Sequence, residues 1–490
     1  MRLLKRKING NKPKDAYDGV SASRNSKGGG VKMDARKRVF LILMAAGFLA
    51  GSLTAAPPVF ANNVAVSNVE LKTPTASTVV VEFDLSQANP FGNLTDANSA
   101  AFSDYVYVFL KYDTDTIAEE TAGWSHATLT QTGSSAAFNV TSDGKGAFIK
   151  ASAANINLQL VWNYAADSVA STATARVKVM AIEMVYIPQG QFVYNAGSIG
   201  VSTWNNYGGA TQTTVSLATH VPTGAVSGWP NGFNAFYVGK YEVSQGQYAD
   251  FLNTISATNG TARYPGQTTY QHTITYTGAN PYGSRYAASS PDRASNYLSW
   301  DDTLAYLDWT ALRPMTEMEF EKAARGGGTN TNTYPWGTVN PDTGNAVYLP
   351  LGHSSPYDAW SYYANYCDPA VCATVDGQDG PTRVGNYLSG DLARSSAQTG
   401  ASPYGVADMA GNNWEHLINC NSTTTPANGD GNLAVLPASW PGAATGKGIR
   451  GGSWNNSGAV GDLRVSGRSL AQWTYATRGY NVGFRPARTP

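Results

Sequence analysis

Charge is scarce in this sequence, and sulfur and imidazole are scarcer. Only 14% of the 490 residues are Asp, Glu, Lys or Arg, three are cysteine and five are histidine. Three cysteines cannot build the disulfide lattice of a small secreted scaffold. Cys367 and Cys372, in CDPAVC, are spaced to close a local loop in an oxidising compartment, and Cys420 is left over. No histidine stands where it would complete a Cys/His zinc set. GxSxG, HExxH, the P-loop and the dinucleotide fingerprint are all missing, so the hydrolase, metalloprotease and nucleotide chemistries they carry have no support. The acid pairs in SWDDT and EMEFE fall in helical segments, where caps and solvated faces account for them.

A basic surplus is missing too, once the chain is divided. Twelve of the 34 basic residues precede Val39, and from Asn62 onward 22 basic residues face 31 acidic ones, a net of −9 with histidine neutral. That balance excludes nucleic acid and anionic lipid as partners and suits solubility and cation binding. The one long apolar run, VFLILMAAGFLAGSLTAAPPVFA (39–61), follows Arg-Lys-Arg and ends in Val-Phe-Ala. A basic stretch, an apolar centre and a small-residue end make a signal peptide, 33–61, cleaved after Ala61. Its fully apolar part is too short to stay as a membrane span. Residues 1–32 read as an extension upstream of the native start. The expectation is a secreted, extracellular or cell-surface protein, with the periplasm as the other compartment and no membrane span after cleavage.

Aromatics, glycine and β-branched residues are what the sequence does contain. Over 62–180, period-two alternation marks about seven short strands: AVSNVELK (65–72), STVVVEFDLS (77–86), YVYVFLKY (105–112), SHATLTQT (125–132), GAFIKA (146–151), NLQLVWNY (157–164) and ARVKVMAI (175–182). This predicts an all-β, two-sheet sandwich of immunoglobulin or fibronectin type, without the immunoglobulin cysteine pair. His126 reads as a strand-surface residue rather than a ligand. From 181 to 490 the pattern changes. A hairpin-like EMVYIPQGQFVYNAG (183–197) and a Gly/Thr/Asn-rich stretch precede three helical signals. They are SQGQYADFLNTI (244–255), SWDDTLAYLDWTAL (299–312) and TEMEFEKAARGG (316–327), each opening on a Ser or Thr N-cap. Beyond Tyr334 the chain reads as loops, with short strands at GIRGGSW and VGFRPAR. So long a loop-rich body needs something to hold it, and bound cations are the obvious means.

In order, MVYIPQGQF, FYVGKYEVSQGQYADFLN, NYLSWDDTLAYLDWTALRPMTEMEFEKAARGG, YPWG, YGVADMAGNNWEHL, RGGSWNN and NVGFRPAR resemble the sulfatase-modifying-factor family, the formylglycine-generating-enzyme domain. The resemblance covers nearly all of 183–488. It implies a loop-rich, α+β, C-type-lectin-like domain over 181–490, behind the sandwich of 62–180. It also implies two calcium sites. One falls on Asp408, the backbone of Gly411 and Asn413, and Glu415. The other falls on Asn365, the backbone of Tyr366, Asp376 and the backbone of Gln378, with a longer spacing than in many relatives. Carboxylates, amides and carbonyls are the ligands a hard cation takes. The bland alternative has Asp408 capping a turn and Glu415 pairing with an arginine.

The wall IRGGSWNNSGAVGDLRVSGRS (449–469) decides the chemical expectation. In active members of the family, the resemblance implies, two cysteines after Gly-Gly-Ser bind copper(I) and activate oxygen to oxidise a substrate cysteine. Those positions fall here on Asn456 and near Val460 or Gly461. An amide and an apolar or missing side chain cannot replace two thiolates on a soft ion, so no copper and no formylglycine-generating activity are expected. What the wall retains is a recognition surface: Trp454, Asn455, Asn456, Arg464, Arg468, Trp473 and Tyr475, near Arg478 and Tyr480. Trp454, Asn456 and Trp473 are expected to be exposed, and Arg450 and Arg485 to be framework. The expected ligand is an unidentified protein, peptide or carbohydrate. Two other readings stay open: an oxidase or other modifying enzyme of the family using a different site, and a receptor diversified by a retroelement.

Overall fold

The computed structural model describes residues 64–87, 90–92, 94–114, 123–194, 213–220, 227–278, 285–338, 364–366, 380–385, 400–422, 424–455, 460–474 and 476–490. All of them lie in one compact unit, Ala55–Pro490. The fold is α+β and rich in sheet, with four α-helices among the described residues. Residues 33–61, expected to be a signal peptide, and the residues before them lie outside the described residues.

The alternating segments form strands, and their two periods go to different cores. Val64–Leu71, Val79–Gln87, Ala154–Trp162 and Leu129–Thr130 make a four-stranded sheet. Asp104–Asp113, Ala147–Lys150, Phe138–Val140 and Arg176–Ile187 belong to an eight-stranded sheet, which continues through Phe236–Gly239 and Pro486–Arg488 to Arg313–Pro314. Val106, Val108 and Leu110 share a core with Val81, Phe83 and Leu160 of the four-stranded sheet. Tyr107 and Phe109, on the opposite face, share another with Phe251, Tyr306 and Trp309 of the helices. The eight-stranded sheet is thus covered on both faces, which explains why Asp104–Asp113 is buried almost without interruption.

One strand passes through residue 180, where the sequence pattern changes. Arg176–Ile187 pairs along its length with Asp104–Asp113, and its C-terminal end also pairs with Phe236–Gly239. Backbone hydrogen bonds therefore do the joining that a linker would otherwise do.

Three expectations about the strands need correcting. SHATLTQT is not one strand. Ser125–His126 joins the eight-stranded sheet and Leu129–Thr130 the four-stranded one, and the crossing is held by Thr128, whose N–H and hydroxyl donate to Asp167 at 2.8 and 2.6 Å. His126 is buried rather than on the surface, stacked on Phe109 with ring centroids 5.6 Å apart, because the helical layer covers that face. In EMVYIPQGQFVYNAG the two halves do not form a hairpin: Phe192–Tyr194 pairs with Thr213–Val215 instead.

The helices start where their caps say. Ser244, Ser299 and Thr316 each close a reciprocal capping box with Gln247, Asp302 and Glu319, respectively. A fourth helix, Ala257–Arg263, was not expected. Its Thr, Asn and Gly have weak helix propensity, and the Ser256 cap, accepting from the N–H of Asn259, holds its start. Glu317–Arg325 corrects the solvated-face reading of EMEFE, since all nine of its residues are buried.

Candidate functional site

The segment before the strand Trp414–Ile418 is built from left-handed backbone. Asp408, Gly411 and Asn412 have φ of 55°, 79° and 62°, a density of turns that winds the chain tightly. Gly411 is needed for its size as well, because a Cβ there would stand 2.4 Å from the carbonyl oxygen of Asn365. This contact brings Asn365, expected in one cation site, against Gly411, expected in the other. Asn365 accepts the Asn412 N–H at 2.7 Å, and its amide donates to the Asn412 side-chain oxygen at 3.1 Å. Tyr366 is half-buried. Asp376 and Gln378 lie outside the described residues.

Three buried carboxylates face this segment with one guanidinium among them. Arg485 holds Glu415 with both arms at 2.6 Å, and it donates to the carbonyls of Asp408 at 3.2 Å and Gly239 at 3.1 Å. Glu242 accepts the Asn413 N–H at 2.9 Å and also accepts from the Asn412 amide. Asp408 accepts the Gly385 N–H at 2.6 Å. Burial pushes Glu242 up, and the neighbouring Glu415 and Asp408 push it further. Burial likewise raises Glu415, against the pull of Arg485, and raises Asp408 to about 6. The side-chain oxygen of Asn413 is buried without a partner.

Such an excess of oxygen donors over positive charge fits a hard cation. Asp408 and Glu415 would supply charge, and the turn's carbonyls would supply neutral ligands. Both Glu415 oxygens already accept from Arg485, so a cation at this carboxylate would take their remaining lone pairs. The contacts of the bland alternative, a turn held by Asp408 and an arginine on Glu415, are therefore present. Among the described residues, no cluster of three or more His, Cys, Asp or Glu side chains forms a metal site.

The wall beside this segment splits into framework and surface. Lys447–Arg450 pairs with Trp414–Ile418, setting Arg450 opposite Glu415. Arg450 is fully buried and reaches Glu317 at 2.9 Å, Glu321 at 3.1 Å and the Val465 carbonyl at 2.6 Å. Arg468, expected on the ligand face, is 2% exposed and ion-paired with Glu317, because the buried acids of Glu317–Arg325 require cations. Trp454, expected to be exposed, is 4% exposed, covered by Tyr270 and Tyr480 with ring centroids at 5.3 and 5.8 Å. Trp473 is half-buried against the cluster of Trp414, Ile449 and Val482, and Arg464 is half-buried. Asn455 is half-buried, its amide donating to the Tyr480 hydroxyl at 2.8 Å. Asn456 and Tyr475 lie outside the described residues.

Of the cysteines, Cys367 and Cys372 lie outside the described residues. Cys420 is free and buried, its sulfur 3.7 Å from the Tyr194 hydroxyl. Burial and the Glu317 carboxylate push its thiol well up, the opposite of an activated thiolate. Sequence reasoning missed Tyr270, His272, Asn296 and Tyr297, which sit beside the wall although they are far from it in the chain. No periodicity marks them.

Comparison with known proteins points to the same family as the landmarks. Formylglycine-generating enzyme of Bos taurus is 25% identical over 208 residues, which are 37% of this chain and 48% of that protein, so the match spans about half the relative's length. The profile of the sulfatase-modifying factor enzyme 1-like domain matches residues 169–490, about two thirds of the sequence. With that match spanning the buried turn, the helices and the wall, the chain belongs to the sulfatase-modifying factor enzyme 1-like family.

Proposed function

We propose that this protein is a secreted or surface-displayed recognition protein, in which the family domain binds a protein, peptide or glycan without catalysing a reaction. The observation that carries the reading is the wall itself. Where the resemblance puts a copper-binding cysteine pair, this chain has Asn456 and the Val460–Gly461 region, and neither amide nor aliphatic groups hold copper(I) or cycle electrons as thiolates do. Calcium at Asp408 and Glu415, and at Asn365 and Asp376, would brace the turn. Bound there, the ion supplies charge neutralisation among buried carboxylates. The C-type-lectin-like character of the family domain, the immunoglobulin or fibronectin character of residues 62–180, and cleavage after Ala61 belong to the same proposal.

The competing reading, a family oxidase working through another site, is favoured by the name of the bovine relative. One assay separates them: the purified chain with copper, oxygen and a Cys-x-Pro-x-Arg peptide. The recognition reading expects the cysteine to remain unchanged by mass spectrometry, and robust conversion to the aldehyde contradicts it.

A further inference from the structure

Three rings from three separate segments meet beside the wall. Tyr270 lies 4.9 Å from Tyr480 and 5.3 Å from Trp454, with interplanar angles of 32° and 37°. Trp454 is buried beneath, while Tyr270 and Tyr480 are 40% and 38% exposed. Large aromatic faces are normally withdrawn from water, and here two adjacent ones are left in it.

The backbone is strained to hold them there. Tyr270 and Gln271, in succession, have φ of 51° and 57°, and Tyr297, whose ring is 6.4 Å from Tyr270, has 58°. Left-handed backbone is costly for bulky side chains and persists only where the surroundings enforce it. The enforcing group is Asn296, which is fully buried: its amide donates to the carbonyls of both Tyr270 and Tyr480 at 2.9 Å. His272 meets the Asn296 oxygen at 3.0 Å and completes the clamp. A rigid, preorganised aromatic surface loses little entropy on binding.

The nearest guanidinium in the chain, Arg478, is held on Asp302 at 2.7 and 3.0 Å. Asn455 bonds the Tyr480 hydroxyl, and Thr269 and Tyr297 share a hydrogen bond of 2.7 Å. Among the described residues, no ammonium or guanidinium lies over these three rings. The indole N–H of Trp454 is buried without a partner.

Building on the recognition reading above, we propose that Tyr270, Trp454 and Tyr480 form a stacking platform for a neutral sugar ring. A pyranose offers an apolar C–H face to the exposed rings and hydroxyls to the amides and phenols at the rim. A nucleotide would also stack, but its phosphates need cations, and no described residue places one over the platform. A proline-rich helix needs successive slots along a groove, whereas these rings form a single closely packed surface.

The test is affinity electrophoresis of the full-length protein in gels containing laminarin, glucomannan, arabinogalactan or dextran. At least one polysaccharide retards the wild type, Tyr276→Ala at an exposed tyrosine off the platform, and Tyr480→Phe. Tyr270→Ala and Tyr480→Ala weaken that retardation at least tenfold. Near-UV difference spectra of the unmutated protein give a readout independent of variant folding, because a seated oligosaccharide perturbs tyrosine and tryptophan absorbance. Absence of retardation and of spectral change with all four polysaccharides overturns the proposal, as does retardation that survives both alanine variants. A proline-rich peptide bound through Tyr270 with no sugar competing overturns the sugar class but leaves recognition standing. Turnover of the Cys-x-Pro-x-Arg peptide, assayed separately, overturns recognition itself.

Discussion

Arg485 clasps Glu415 in a fully buried, two-armed ion pair, with both N···O distances at 2.6 Å. The pair fastens the C-terminal residues to the turn at Asp408, since the same guanidinium also bonds the Asp408 and Gly239 carbonyls. Removing either partner leaves a desolvated charge, so Arg485→Ala and Glu415→Ala should each cost about 3–5 kcal/mol. Urea unfolding measures both. A double variant that costs much less than the sum of the singles confirms that they act as one unit.

Calcium removal makes a separate prediction. Melting followed with and without a chelator should show a lower transition temperature when calcium is withdrawn, as expected when a ligand binds only the folded state. In Glu415→Ala the calcium-dependent part of the shift should shrink. A melting temperature indifferent to chelation in the unmutated protein contradicts the calcium proposal.

Glu183 predicts how stability depends on pH. It lies where the Asp104–Asp113 and Arg176–Ile187 strands meet Lys240. Asp104 holds Lys240 at 2.7 Å, and Gln87 donates to Glu183 at 2.5 Å. Burial raises Glu183 to about 8, opposed by Lys240. Its folded form therefore keeps a proton that the unfolded chain releases near 4.5, and stability declines as pH rises through 4.5 to 8. Each unit within that window is worth roughly 1.4 kcal/mol for one such group. Glu183→Gln should flatten the decline between pH 5 and 8 in urea unfolding, and an unchanged slope contradicts the assignment.

Gly448 predicts a steric effect in the wall. A Cβ on it would stand 1.9 Å from the carbonyl oxygen of Ala471, and the 470–471 backbone there is tied down by the Ile449 N–H bond to Leu470 and the Asn419 amide bond to Ala471. Gly448→Ala should destabilise by about 1–3 kcal/mol or more through forced backbone movement. Gly442→Ala, where a Cβ meets nothing within 4 Å, is the control.

Local rules were legible in the sequence and long-range ones were not. The three Ser or Thr N-caps and all but one of the period-two strands depend on neighbours a few residues away, and they appear where expected. Trp454 and Arg468 differ because their burial depends on distant partners, Tyr270 and Glu317. Strand alternation in 104–113 could show that two faces differ, but not that helices cover the second. Glu317 reads as solvated because its cations, Arg450 and Arg468, arrive more than a hundred residues later, whereas Glu319 and Glu321 find Arg313 and Arg325 within a few residues.

The proposed function has a wall without paired thiolates gripping a ligand and holding no copper(I). Competition against a copper(I)-selective chromogenic chelator tests it most directly. The folded chain should withdraw no copper from the chelator, and one equivalent captured tightly, with Cys367, Cys372 or Cys420 as ligands, would overturn the proposed function.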